Sequence, residues 1–256
     1  MKIHLPVFAI AFGLLLAVQQ LSAQSPDVST YPTNTALLPG KGPASKWGGL
    51  PKVWAARHAE WAKTADNDHN AVVFLGDSIT ENWKTLPQDF PDLKVANRGI
   101  SGDTTRGVLY RLNADVLSLD PKAIVLLIGT NDVGNGADPR EVSANIKEIL
   151  KRVRKKYPKM PVIVCEVMPS SEKQHRPAAT IEKLNALIKK DVNHKSNYLC
   201  DTWSIYAQAD GDCPQDEFPD LLHPNASGYA KWIAALKPLL AKLNLTTTGQ
   251  GSGSMP

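Results

Sequence analysis

Ser78 follows an apolar stretch in a pattern that could make its hydroxyl group a nucleophile. Val72–Leu75 has the sequence VVFL, which predicts a buried parallel strand, and Gly76 ends the apolar run where the chain must turn. Ser78 then stands just beyond the carboxyl end of the strand, on the edge of an α/β sheet where ligands bind. A serine that only caps the following helix would have the same local sequence. The nucleophile hypothesis therefore depends on the residues that the rest of the chain brings to this edge.

Other polar clusters come after other predicted strands. Gly102 lies among small polar residues after the second strand, Asn131 follows the third, and Asp220 and His223 lie in a polar stretch after the last. Since the carboxyl ends of parallel strands share one edge of the sheet, we expect these residues to converge on Ser78.

These residue types together can cleave an ester. Such cleavage needs a base for the serine proton, a group that orients the base, and donors for the oxyanion. His223 could accept the proton of Ser78, and Asp220, three residues before it, could orient the imidazole. The backbone N–H groups of Ser78 and Gly102 and the side-chain amide of Asn131 could bind the oxyanion. Alone, Gly102 could be a turn glycine and Asn131 a helix cap, but together these residues predict a serine esterase.

Strands and helices alternate along the chain. The apolar runs predict strands at residues 72–75, 93–96, 123–128, 161–167 and 198–200. Helical periodicity predicts helices at residues 51–63, 104–113, 138–157, 178–192 and 224–243. By the right-handed crossover rule, this alternation predicts a parallel sheet between two layers of helices.

Composition and charge are those of an ordinary globular protein. The 256 residues are 43% hydrophobic and 21% charged, with a formal net charge of +4. This modest charge argues against nucleic acid or an anionic membrane as the main partner. We expect one catalytic domain at residues 50–245, preceded at 24–49 by a linker or an extended arm on the domain and followed at 246–256 by a disordered tail.

Residues 1–23 have the pattern of a secretory signal peptide. Lys2 precedes an apolar stretch, and Ala23 supplies a small residue for cleavage. The apolar stretch is short for a membrane span, which needs about 18 residues. We therefore expect a secreted or periplasmic protein without a stable membrane anchor.

Three cysteines leave at least one thiol unpaired, so the protein is no disulfide scaffold. Cys165 and Cys200 lie in strand-like runs and are expected to be small buried apolar residues. In an exported protein, Cys200 and Cys213 could form a disulfide bridge, and the sequence does not decide whether they do. The cysteine spacing matches no zinc site.

The polar clusters also resemble the four blocks of a known family. FLGDSIT, NRGISGDTT, GTND and DLLHPN resemble the SGNH hydrolases, also called the GDSL esterase/lipase superfamily, over about Ala71–Leu243. The resemblance matches Ser78, Gly102, Asn131 and His223 to the residues that name the family, with Asp220 completing the triad. The form of the blocks is most similar to the branch of platelet-activating-factor acetylhydrolase catalytic subunits and bacterial carbohydrate O-acetylesterases.

The resemblance implies a flavodoxin-like three-layer α/β/α sandwich with a five-stranded parallel sheet. It also implies hydrolysis without a metal or cofactor, in an open, shallow site. A phosphate-handling protein is disfavoured because the glycine-rich GISGDTT stretch lacks the lysine of a P-loop. A non-catalytic carbohydrate-binding relative would need a damaged site, and every expected residue is present.

Within the esterases, we expect an enzyme that removes acetyl groups from sugars or polysaccharides. A lysophospholipase or acyl-thioesterase is the alternative, but the sequence has no long apolar insertion to receive an acyl chain. The expected site loops, 79–90, 133–138 and 169–177, are short and mostly polar. Trp83 is their one large aromatic candidate for a substrate-binding wall, with ordinary packing as the other interpretation. The sequence leaves the oligomeric state open.

Overall fold

The computed structural model describes residues 27–192 and 195–246. The predicted signal peptide lies outside the described residues, as does the predicted disordered tail apart from Thr246. Among the described residues, no helix has both the length and the apolar character needed to cross a membrane.

A parallel sheet forms the centre of the fold. Its strands are β1 (Val72–Gly76), β2 (Val95–Gly99), β3 (Ala123–Leu127), β4 (Val162–Cys165) and β5 (Asn197–Cys200). They lie in the order β2-β1-β3-β4-β5, and all neighbouring pairs are parallel. Every residue of β1 and β3 is buried, because both faces of the sheet are covered. The predicted five-stranded parallel sheet is confirmed.

Helices cover the two faces of the sheet. The helices of the described residues are α1 (Leu50–Asp68), α2 (Ser78–Glu81), α3 (Leu86–Asp89), α4 (Thr105–Asp115), α5 (Thr130–Gly134), α6 (Pro139–Lys156), α7 (Ala178–Asp191) and α8 (Ala226–Lys242). Apolar side chains of α4, α6 and α7 form the core on one face of the sheet. Those of α2, α3 and α8 form the core on the other. The fold is therefore the predicted three-layer sandwich.

Strand β2 lies further along the chain than the predicted strand at 93–96. Arg98, expected in a loop, lies on the edge strand β2, where it pairs with Leu75 of β1, and is buried. Its guanidinium donates to the carboxylate of Asp68 at 2.8 Å and to the backbone carbonyl of Asp115 at 3.0 Å. A charged residue interrupts an apolar run and so predicts an exposed position. Here these hydrogen-bond partners compensate for the burial of the charge.

Residues 27–49 pack along the outside of the domain and form its N-terminal arm. Trp54 donates its indole N–H to the carbonyl of Val28 at 2.7 Å, and Asn145 exchanges two hydrogen bonds with the backbone of Lys41. The guanidinium of Arg106 donates to four backbone carbonyls of the arm, those of Thr35, Leu38, Pro39 and Gly42. These contacts carry the end of the arm to the edge of the sheet where Ser78 lies.

The three cysteines are free and buried, so Cys200 and Cys213 do not form the bridge that the sequence left open. Cys165 and Cys200 are aligned across β4 and β5. As expected, both serve as small buried residues within the apolar core.

Candidate active site

Ser78 is the first residue of α2, directly after the tight turn that follows β1. Asp77 caps the helix by accepting the backbone N–H of Ile79 at 3.0 Å. Only glycine fits at position 76, because a Cβ atom there would lie 2.4 Å from the carbonyl oxygen of Leu127. Ser78 is 7% exposed, so the rigid end of a central strand holds its hydroxyl group at the carboxyl edge of the sheet.

His223 connects Ser78 to Asp220. The distance from His223 Nε2 to Ser78 Oγ is 2.8 Å, and Nδ1 lies 2.6 Å from Asp220 Oδ2. The other carboxylate oxygen, Asp220 Oδ1, accepts the backbone N–H groups of Leu222 at 3.0 Å and His223 at 2.7 Å. Leu221 allows this turn by adopting a left-handed conformation, with φ +61°. The structure thus brings the three predicted residues together in the order serine, histidine, carboxylate.

Asp220 is suited to orient the imidazole. Burial raises the pKa of Asp220, but hydrogen bonds from the side chain and backbone of His223 outweigh it, and the net pKa lies below the ordinary value. An ionised carboxylate at Nδ1 favours the tautomer that carries its proton there, which leaves Nε2 free to accept the Ser78 proton. The side chains of Asp220 and His223 are 52% and 32% exposed, so this end of the site opens to solvent.

Two backbone N–H groups are available for an oxyanion. Those of Ser78 and Gly102 donate to no other residue in the part of the chain that the structure describes. Gly102 adopts φ +79°, a left-handed conformation that favours glycine. A negatively charged oxygen near Ser78 could therefore use both donors, as the sequence predicts.

The side chain of Asn131 is held from both ends. Its Nδ2 donates to the carbonyl of Asp103 at 3.0 Å, and its Oδ1 accepts from Arg176 Nη2 at 3.0 Å. Since an amide nitrogen carries two hydrogens, the second hydrogen of Asn131 Nδ2 remains for a ligand. Asn131 thus has the bonding required of the predicted third oxyanion donor.

Arg176 is a site residue that the sequence did not identify. It lies after β4, in a loop expected to border the site, and no local pattern separates it from other loop arginines. Its Nε donates to the backbone and side-chain oxygens of Thr130 at 3.0 and 3.1 Å, and its Nη1 donates to the carbonyl of Gln174 at 2.5 Å. These bonds fix the guanidinium beside Asn131.

Three buried carboxyl groups lie behind the site. Burial raises the pKa of Asp77 and of Asp132 to about 7 and that of Asp103 to about 6. Asp132 accepts the backbone and hydroxyl hydrogens of Thr105 at 3.0 and 2.5 Å, while Asp103 accepts from Arg111 Nε at 2.8 Å. The bonds between Asp132 and Thr105 join the segment that carries Asn131 to the one that carries Gly102.

The prediction that Trp83 forms a substrate-binding wall is wrong. Trp83 is 1% exposed, and its ring packs in the core against the rings of Phe74, Phe90, Tyr229 and Trp232. Its indole N–H donates to Asp89 at 2.7 Å. The interior between β1 and α8 takes up this aromatic side chain, so ordinary packing is the correct interpretation.

Trp47 is the aromatic residue that lies beside the site instead. It belongs to the N-terminal arm and is 48% exposed. A Cβ atom on Gly102 would lie 2.3 Å from Trp47 Cε3, so the indole lies directly against that glycine. The sequence indicated that the arm could lie on the domain but not where its end would come to rest.

The fold and the site together define the class of protein. The site contains a serine hydroxyl in line with a histidine and a carboxylate, and several oxyanion donors lie beside them. This is the arrangement of a serine acyl hydrolase. The site lies where the carboxyl ends of parallel strands meet, as ligand sites in open α/β sheets do.

Sequence comparison identifies the family within that class. The profile of the GDSL-like lipase/acylhydrolase family matches residues 74–231. The human platelet-activating factor acetylhydrolase IB subunit alpha2 is 32% identical in an alignment of 198 residues that covers 74% of this chain and 84% of the human protein. The chain therefore belongs to the GDSL-like lipase/acylhydrolase (SGNH) family and is a carboxylic ester hydrolase.

Solved structures agree with this assignment. A GDSL-like lipase from Bacteroides thetaiotaomicron is 26% identical and has a TM-score of 0.63, covering 72% of this chain and 98% of its own. An acetylxylan esterase from Geobacillus stearothermophilus shares the fold at 20% identity with a TM-score of 0.54, covering 68% of this chain and 94% of its own.

Proposed function

We propose that the protein is a secreted serine esterase that removes short acyl groups, chiefly acetyl, from carbohydrates. The observation that carries the short-chain preference is the shortage of apolar surface around Ser78. Among the described residues, the large hydrophobic side chains that are exposed are Leu37 and Trp47, and of these only Trp47 contacts a site residue. A long acyl chain would need more apolar surface, since each buried methylene contributes about 0.8 kcal/mol.

In the proposed reaction, Ser78 Oγ attacks the ester carbonyl carbon while its proton passes to His223 Nε2. The carbonyl oxygen becomes an oxyanion, which accepts hydrogen bonds from Ser78 N–H, Gly102 N–H and Asn131 Nδ2. Collapse of this intermediate breaks the bond to the alcohol oxygen, which takes the proton from His223 and leaves an acyl-serine. Water then attacks the acyl carbon in the same way, His223 takes and returns one proton, and the acid and free Ser78 are formed.

The names of the relatives support acetyl as the acyl group. The human relative is named for acetylhydrolase activity, and the structural relative from Geobacillus stearothermophilus is named an acetylxylan esterase. The carbohydrate acceptor rests on the open site, because a half-exposed Asp220 and a partly exposed His223 leave room for a bulky polar alcohol.

A chain-length series tests the acyl preference. We expect kcat/KM to be highest for para-nitrophenyl acetate and no greater for the butyrate, octanoate and palmitate esters, because the site offers little apolar surface on which a longer acyl chain could gain binding energy. A maximum at octanoate or beyond would reject the acetylesterase proposal and favour a lysophospholipase or acyl-thioesterase. Release of acetate from acetylated xylan, with Ser78→Ala as the inactive control, tests the acceptor.

Export rests on the signal-like sequence at residues 1–23. We expect the mature protein to begin near residue 24 and to be recovered from the periplasm or the medium. Mass spectrometry of the protein from fractionated cells checks this. A full-length protein that stays with the cytoplasm would overturn the proposed localisation and leave the proposed reaction unaffected.

A further inference from the structure

Trp47 presents an aromatic surface next to the oxyanion donors. Nearly half of its surface is exposed, although it touches Gly102. Its indole N–H donates to no residue among those that the structure describes, so a ligand can accept from it. An exposed indole therefore offers a ligand both an apolar ring face and a hydrogen-bond donor at the edge of the site.

Two glycines fix the position of the ring. A Cβ atom on Gly49 would lie 2.5 Å from Trp47 Cζ2, and one on Gly102 would lie 2.3 Å from Cε3. The six-membered ring of the indole is therefore confined between the start of α1 and the oxyanion loop. The carbonyl of Trp47 also accepts the backbone N–H of Leu50 at 3.1 Å, which joins the residue to the first turn of α1.

The arm around Trp47 is joined to the other side of the site as well. Lys46 donates its backbone N–H to Asn135 Oδ1 at 3.0 Å and its Nζ to the Asn135 carbonyl at 3.0 Å. Asn135 Nδ2 in turn donates to the carbonyl of Asn131 at 2.6 Å. The arm thus contacts the loops of two oxyanion residues, and Trp47 stands on a preorganised part of the site.

We propose that Trp47 is the binding surface for the alcohol part of the substrate, and that this part is a sugar ring. Gly102 N–H binds the carbonyl oxygen in the proposed reaction, so groups attached to that carbonyl carbon lie near the indole. An acetyl methyl group is too small to use so large a surface, whereas a pyranose ring can lay its C–H face on an indole. The free indole N–H can donate to a sugar hydroxyl or ester oxygen. This inference rests on the proposed carbohydrate esterase function.

The test measures Trp47→Ala and Trp47→Phe with two acetyl esters. We expect Trp47→Ala to lower kcat/KM for xylose tetraacetate about tenfold, mainly through KM, because stacking is lost. Ethyl acetate has no ring, so its kcat/KM should stay within about twofold of wild type. Trp47→Phe keeps a ring and should retain most of the sugar-ester activity. Leu37→Ala is the matched control, because Leu37 is the other exposed hydrophobic residue of the arm.

Equal losses on both esters would overturn the proposal, because Trp47 would then act through Gly102 or through the fold. An unchanged rate on xylose tetraacetate would also overturn it. Acetylcholine serves as a third ester: a loss confined to it would assign the ring to a quaternary ammonium group instead.

Calorimetric measurement of ligand binding tests the role of Trp47 separately from the proposed esterase function. Xylose tetraacetate is titrated into Ser78→Ala and into the double variant Ser78→Ala/Trp47→Ala, neither of which can consume it. We expect the dissociation constant to rise about tenfold in the double variant. Equal dissociation constants, or no binding to Ser78→Ala, would overturn the role of Trp47. Failure of the wild-type enzyme to release acetate from acetylated sugars would instead overturn the proposed function.

Discussion

Arg176 Nη2 donates to Asn131 Oδ1 at 3.0 Å, and this bond orients the amide so that its Nδ2 group faces Asp103 and the oxyanion position. The arginine thus acts on the site through Asn131, without touching Ser78 or His223 itself. Its planar fork also holds Thr130, which begins α5. We infer that Arg176 is a positioning residue for the oxyanion donor.

We expect Arg176→Ala to lower kcat about 10- to 100-fold with little change in KM, because a misaligned amide loses its hydrogen bond to the transition-state oxyanion while ground-state substrate binding is little affected. Arg176→Lys should recover little, since an ammonium group cannot make the forked contacts. In an Asn131→Ala background, removal of Arg176 should cost no further kcat. Additive losses would contradict the positioning role, and Arg140→Ala, an exposed arginine, is the control.

Ser78→Ala should reduce kcat at least about 1000-fold while the melting temperature stays near that of wild type, because the hydroxyl group adds little to the core. A fluorophosphonate probe should label the wild-type protein at Ser78, as peptide mass spectrometry would show. Labelling that persists in Ser78→Ala, or activity within tenfold of wild type, would assign the nucleophile to another residue.

Asp220→Asn should lower kcat by about 10²- to 10⁴-fold with little change in KM, because a neutral amide no longer selects the histidine tautomer that accepts the Ser78 proton. Steady-state kinetics on para-nitrophenyl acetate measures this. Asp216→Asn is the matched control, since Asp216 is an exposed carboxylate in the same loop. A fall of less than fivefold in Asp220→Asn would remove the carboxylate from the mechanism.

The rate should not depend on an added or bound metal ion, because His223 carries every proton transfer in the proposed reaction. Activity on para-nitrophenyl acetate is measured before and after dialysis against a chelator. If the chelator inhibits the enzyme and added divalent ions restore the rate, a metal ion takes part in the reaction and the metal-free mechanism is wrong. Ser78→Ala under the same conditions controls for background hydrolysis.

The buried Asp77 should make stability depend on pH. Burial raises its pKa from the ordinary value of 3.8 to about 7, so between these values the folded state holds a proton that the unfolded state has lost. The folded state therefore binds more protons between these two values, and the stabilisation present below about pH 4 is lost as pH rises through about 7. Asp220 has a lowered pKa and acts in the opposite direction, but only at more acid pH.

Thermal unfolding at pH 5, 6, 7 and 8 tests this expectation against Asp77→Asn. The asparagine can still accept the backbone N–H of Ile79 but does not titrate. Relative to this variant, the wild-type protein should be most stable at pH 5 and should lose that advantage by about pH 8. If the melting temperature of the wild-type protein minus that of Asp77→Asn stays constant or increases with pH, the raised pKa of Asp77 is contradicted.

Local sequence patterns were sufficient for much of the architecture. The capping box of Asp138 and Glu141, with Pro139 in the first turn, specifies the start of α6, and the structure has all three features. Asp220 and His223 are three residues apart, so a single turn can join them wherever the loop lies. Periodicity and turn chemistry depend on neighbouring residues, which is why the sequence by itself determined the order of the strands and helices, the parallel sheet and the convergence of the polar clusters.

Only the tertiary structure decided which side chains surround Ser78. His223 reaches Ser78 across 145 residues, Arg176 comes from the loop after β4, and Trp47 comes from an arm with no periodicity. Trp83, an aromatic residue of the segment that follows Ser78, packs in the core instead. Packing between distant segments determines which side chains are buried and how they are oriented, and no local sequence pattern encodes that packing. The roles of Trp47 and Arg176 at the site could therefore be identified only from the tertiary structure.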